Sequence, residues 1–213
     1  VADYIINNTF ENNYKSISNY CPEQTIISSG LSKWCGAGGW RLGHFIIPNE
    51  LKKLRNSMKV LASETFTSVS APIQHAAVAA YEKDMSKYVN SSRNILKNVG
   101  EYVYNNLQSN KVLISKPQGG FYLMPEFLDK KYKSSEEMCT DLLNNTGVAL
   151  LPGSDFGFSK NKMIARLSFT DFNGKEFMEN FQSDKNIKVE DIEKFAPKII
   201  EGTKRLKVWA ESS

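Results

Sequence analysis

Lys33 and Arg41 stand eight residues apart in the stretch SGLSKWCGAGGWRLG, residues 29–43, which is rich in glycine. A lysine can attack a carbonyl only when it is uncharged, a state that burial or neighbouring cations favour. An arginine on a glycine-rich backbone can grip a phosphate through two parallel hydrogen bonds. A cofactor with an aldehyde at one end and a phosphate at the other would use both groups. Pyridoxal phosphate is such a molecule: the lysine would hold its aldehyde as an imine and the arginine its phosphate. Taken alone, the same two cations also describe a solvated loop.

The elements that must position this pair can be read from hydrophobic periodicity. Residues 1–8 read as a buried strand ending at Asn7 and Asn8, and QTIIS (24–28) as a second strand running into the lysine loop. WRLGHFII (40–47) reads as a third, closed by Pro48, which cannot continue a ladder. Leu51, Leu54, Met58 and Leu61 form a helical stripe. Pro72, just after Ser70, marks the first turn of a helical pattern running to about residue 109, with the polar run NSSRN (90–94) as a place to bend. Beyond it, strands are expected at 111–115, 119–125, 147–153 and 163–169, and helices at about 134–145 and 190–211. Strands alternating with helices in this second block indicate a smaller α+β domain. The overall class is α/β, divided as 1–72, a helix over 73–109 that bridges two domains, and 110–213.

Composition narrows the functional classes. The 213 residues are 41% hydrophobic with a formal net charge of +4, which suits a soluble globular chain and offers no basic run for nucleic acid. The three cysteines, Cys21, Cys35 and Cys139, show no paired metal-ligand spacing, and two histidines are too few for a histidine-based zinc site, so no metal is expected. Free thiols fit a reducing, cytoplasmic compartment. No stretch approaches the roughly 20 apolar residues of a membrane span. Cys35, His44 and His75 read as packing or surface residues.

The lysine loop resembles the cofactor-lysine motif of the class I/II aminotransferases, which have the fold-type I pyridoxal-phosphate architecture. Ser32 precedes the lysine, Arg41 follows it by eight residues and Gly43 by ten, as in that family, with Gly30 where many members have a serine. The likeness runs in order along nearly the whole chain. SVSAPIQHAAVAAY resembles the start of the family's interdomain helix, PQGGFYLMPEF its small-domain strand, and GVALLPGSDFG with ARLSF the segment ending in the substrate arginine.

That resemblance implies specific roles. Lys33 would hold the cofactor and move a proton at the substrate carbon, while Ser32 and Arg41 would bind near the phosphate. Arg166 would take the substrate α-carboxylate, for which a planar guanidinium on a strand is suited. Asp3, in ADYI, matches the aspartate that pairs with the ring nitrogen. The tyrosine expected three residues later is Ile6 here, and Tyr4 would point to the other face of a strand. Amino acid and 2-oxo acid substrates and a homodimer of the full-length enzyme are implied, with neither nucleic acid nor membrane as partner. Glu64, and the lack of arginine in VLASETF (60–66), favour a neutral amino-acid donor.

Family members are about twice this length, so the chain is expected to be the C-terminal part of such an enzyme, binding cofactor poorly and inactive alone. Two alternatives stay open: a pyridoxal-phosphate lyase of the same fold, and a non-catalytic relative kept for interaction.

Overall fold

The computed structural model describes residues 9–11, 14–181 and 186–212 in full, and residues 2–3 by their backbone. Two compact units divide the chain, residues 1–89 and 90–213.

In the first unit, β1 (Ala2–Asp3), β2 (Ile27–Gly30) and β3 (Gly43–Ile46) form one sheet in chain order. β1 and β2 run parallel, with Asp3 in register with Ser28. β2 and β3 run antiparallel, with Gly30 opposite Gly43. The sheet is therefore mixed. A parallel partner needs a crossover that carries the chain back along the strand. Here the chain turns on itself instead: the Leu31 N–H donates to the Leu42 carbonyl at 3.3 Å, and the Ala37 N–H to the Leu31 carbonyl at 3.0 Å.

Helix α1 (Lys52–Phe66) follows, and none of its residues is buried. The apolar stripe that identifies it in the sequence is exposed at Leu54 and Leu61. The helical pattern expected as one element over 73–109 is two helices, α2 (Ala71–Glu82) and α3 (Ser86–Leu107). The interruption falls at 83–85, before NSSRN. Lys83 turns extended at ψ 147°, and the Asp84 carboxylate accepts the Ser86 N–H at 2.9 Å, closing the start of α3. NSSRN lies inside α3 without bending its buried face, because Ser91, Ile95, Val99, Val103 and Leu107 follow one another at four-residue steps and all are buried.

The second unit adds β4 (Val112–Leu113), β5 (Tyr122–Leu123), β6 (Glu126–Phe127), α4 (Ser135–Thr146), β7 (Leu151–Pro152), β8 (Ala165–Ser168), α5 (Gly174–Asn180), α6 (Val189–Phe195) and α7 (Pro197–Glu211). β8 is the middle strand of β5-β8-β7, and both its pairings are antiparallel. β4 pairs separately with β6. Neither β6 nor α5 is expected from the sequence pattern. The single helix expected over 190–211 divides where Pro197 takes the first position of α7. α4 has the chemistry of its ends: the Ser134 hydroxyl accepts the Glu137 N–H, and Gly147 closes the helix at φ 71°. One core joins these elements through Val99, Val103, Phe127, Met138, Phe169 and Phe177, all buried. Each such large side chain contributes about 1.5–3 kcal/mol on burial.

Among the described residues no helix is long and apolar enough to cross a membrane, and no group of His, Cys, Asp and Glu could hold a metal ion.

Candidate functional site

Lys33 lies in the turn directly after β2, and Arg41 two residues before β3. Both are exposed, whereas Leu31 and Leu42 at the base of the loop are buried. Leu31, Trp34, Ala37 and Leu42 pack with Ala77 of α2 and with Val89, so the loop carries its cations outward from an apolar foundation. Asp3 stands at the end of β1, its Cα beside Ser28 of β2. Ser32, Lys33 and Arg41 therefore leave from the carboxyl end of β2, the end at which open α/β sheets bind ligands, while Asp3 lies within β1 level with Ser28. Tyr4 and Ile6 lie outside the described residues.

Arg41 adopts the left-handed conformation, φ 54° and ψ 44°, as it closes the short 3-10 turn Gly38–Trp40. Its Nη1 donates to the Gly38 carbonyl at 2.9 Å. A guanidinium has five N–H groups, so donors remain for an anion, and among the described residues Arg41 has no carboxylate partner. Gly30 has no room for a side chain: a Cβ there would come 2.6 Å from the Leu42 carbonyl oxygen. The backbones of β2 and β3 approach closely at the point where the loop begins.

The neighbouring groups are structural. Tyr81 of α2 meets the Trp34 ring at 5.4 Å and the His44 ring edge-on at 5.4 Å. Burial pushes the half-buried Cys35 thiol up, and Tyr88 is raised by burial first and by Cys35 second. A thiol held protonated is a packing group rather than a nucleophile.

Arg166 belongs to the second unit, on β8. Its guanidinium carbon lies 4.3 Å from the centre of the Tyr122 ring and 4.3 Å from that of Phe156. Tyr122 pairs with Ser168, which shares the face of Arg166, so the two are diagonal neighbours across β5 and β8. Phe156 comes from the turn after β7, the strand on the other side of β8. Both rings escape a sequence reading centred on charged residues; the aromatic positions in GGFYLMP and GSDFG are the only trace of them.

The donor set fits an aldehyde-bearing phosphate. An amine and a guanidinium leave the same loop, where the missing Cβ of Gly30 lets the strands close, and these are the groups such a molecule needs at its two ends.

The family model described as Aminotransferase class I and II matches residues 6–179. A probable N-acetyl-LL-diaminopimelate aminotransferase from Bacillus subtilis is 32% identical over 162 residues, covering 76% of this chain and 39% of the relative. An aspartate aminotransferase from Geobacillus stearothermophilus is 33% identical over 162 residues, covering 72% of this chain and 39% of the relative. Among solved structures, an alanine aminotransferase from Pyrococcus furiosus superimposes with a TM-score of 0.64 at 28% identity, over 87% of this chain and 42% of that one. The chain thus spans about two fifths of the length of these relatives.

Proposed function

The chain belongs to the class I and II aminotransferases, and on that premise we propose that it carries the cofactor lysine and the substrate arginine of an enzyme that moves an amino group from an amino acid to a 2-oxo acid. Pyridoxal phosphate is its cofactor, and when bound it supplies an aldehyde for the amine and an electron-withdrawing ring. Residues 1–72 form the cofactor-binding part, 73–109 the link, and 110–213 the small domain.

Lys33 would hold the cofactor through its amine and would carry the proton that leaves the substrate Cα. Arg41 binds the phosphate through the N–H groups not spent on Gly38, and Ser32 adds a hydroxyl beside it. Asp3 pairs with the ring nitrogen. Arg166 orients the substrate through its α-carboxylate. The working enzyme is a cytoplasmic homodimer. The observation that carries this reading is the common origin of Lys33 and Arg41 in one loop, closed at its base by Leu31 and Leu42 at the carboxyl end of β2.

Borohydride reduction of the chain with pyridoxal phosphate, followed by peptide mass mapping, tests it. The readout is selectivity: Lys33 should be modified before any other lysine, and Arg41→Ala should erase that preference. Even labelling across the surface lysines, unchanged in Lys33→Ala, would overturn the assignment.

A further inference from the structure

The two rings on Arg166 make up a feature with its own chemistry. Every N–H of a guanidinium lies in the plane of the group, and its faces carry no donors. A ring lying over either face would leave all five donors in place while restricting how the group can turn. Aromatic contact also attracts the cation, which holds the side chain without a carboxylate. Arg166 has no carboxylate partner among the described residues, so its hydrogen-bonding edge is not neutralised. Phe156 is 39% exposed and Arg166 half-buried.

The backbone around Phe156 is built for the contact. The Gly153 N–H donates to the Ile164 carbonyl at 2.8 Å, and a Cβ on Gly153 would come 2.9 Å from both that oxygen and the Ile164 Cβ. Only a glycine lets the turn descend onto β8 this closely, three residues before Phe156. Gly157 then ends the turn at φ 85°. On the opposite side of the turn, Ser154 donates to Glu136 at 2.6 Å, which ties it to α4. Tyr122 is placed by the ladder itself.

We propose that Tyr122 and Phe156 are positioning residues that present Arg166 edge-on, so that this site selects planar carboxylates over tetrahedral oxyanions. The proposal rests on Arg166 being the substrate arginine and adds how that arginine chooses. A carboxylate can lie in the guanidinium plane and take two parallel bonds. A sulfonate or phosphonate carries a third oxygen out of that plane, towards a ring. The rings thus act through Arg166 and touch no reacting atom.

The test uses the 15N-labelled 213-residue chain, following the Arg166 Nε–H resonance, assigned by its loss in Arg166→Lys. Pyruvate should shift this resonance in the wild type and in Tyr122→Phe. Tyr122→Leu and Phe156→Leu should each bind pyruvate about tenfold more weakly, with backbone resonances of the Phe169 and Phe177 core unmoved. Pyruvate should also bind several-fold tighter than methanesulfonate, a comparison made in the wild type alone and so independent of any variant's folding. Equal binding of the two anions, wild-type affinity in both leucine variants, or no response of Arg166 to pyruvate would each overturn the proposal. Lysine labelling reads the amino-transfer assignment separately: unselective labelling with this discrimination intact would remove the assignment and leave the ring-held arginine standing.

Discussion

Gly30 and Gly43 face each other across β2 and β3, and the space beside them is already occupied by main chain. A Cβ on Gly30 would lie 2.6 Å from the Leu42 oxygen and 3.1 Å from the Gly43 Cα. Both obstacles are backbone, so no side chain can swing away to relieve them. The pair sets the width of the loop from which Lys33 and Arg41 emerge.

Gly30→Ala should therefore force the two strands apart at the loop's base, at a cost of about 1–3 kcal/mol, the range for overpacking. Gly39, with nothing within 4 Å of its would-be Cβ, is the matched control, and Gly39→Ala should stay within about 0.5 kcal/mol of the wild type. Urea unfolding of the two variants checks this; equal midpoints would refute the close-packing argument. Selective labelling of Lys33 should decline only in Gly30→Ala.

Arg41 holds a backbone conformation that costs a non-glycine residue about 1–2 kcal/mol. Glycine would avoid that strain but lose more chain entropy, about 0.5–1 kcal/mol. Arg41→Gly should consequently be neutral to slightly more stable while binding phosphate less well. Thermal unfolding paired with inorganic phosphate titration reads both quantities. A strained cation retained where glycine would sit more comfortably is the pattern of a functional position.

Glu136 is held down to about 2, by the Ser154 hydroxyl first, then by the Ser134 hydroxyl and its own N–H. A folded pKa below the unfolded value means that the carboxylate contributes stability above about pH 4.5, and that this is lost as the pH falls towards about 2. Acid titration followed by far-UV circular dichroism should show the wild type losing stability across that window. Glu136→Gln should be less stable near neutrality and flatter through the same window. Identical acid profiles for the two proteins would refute the Ser154–Glu136 linkage.

What could be read in the sequence was whatever local chemistry dictates. α4 lies within a residue of its expected span because Ser134 and Gly147 mark its ends. The lysine loop stood out because Ser32, Lys33, Arg41 and Gly43 keep the spacing of a known motif, whereas the two cations alone also describe a solvated loop. The direction of β3 was hidden, since apolar alternation carries no sense of direction. The break before α3 was hidden as well: Asp84 closes the start of that helix with neither proline nor glycine to announce it. Tyr122 and Phe156 could not be assigned to Arg166 because their meeting depends on the register of three strands, and nothing in the spacing from residue 122 to 166 encodes it.

The seat of Trp34 against Tyr81 has a mechanical consequence for the residue before it. The indole is buried at 7% exposure, and its neighbour Lys33 is exposed. The main chain beside the lysine is moored at Trp34, so the amine works from a fixed pivot. A group that must reach a carbonyl, let go and return to the adjacent carbon gains from that mooring, because every stroke starts from the same pivot.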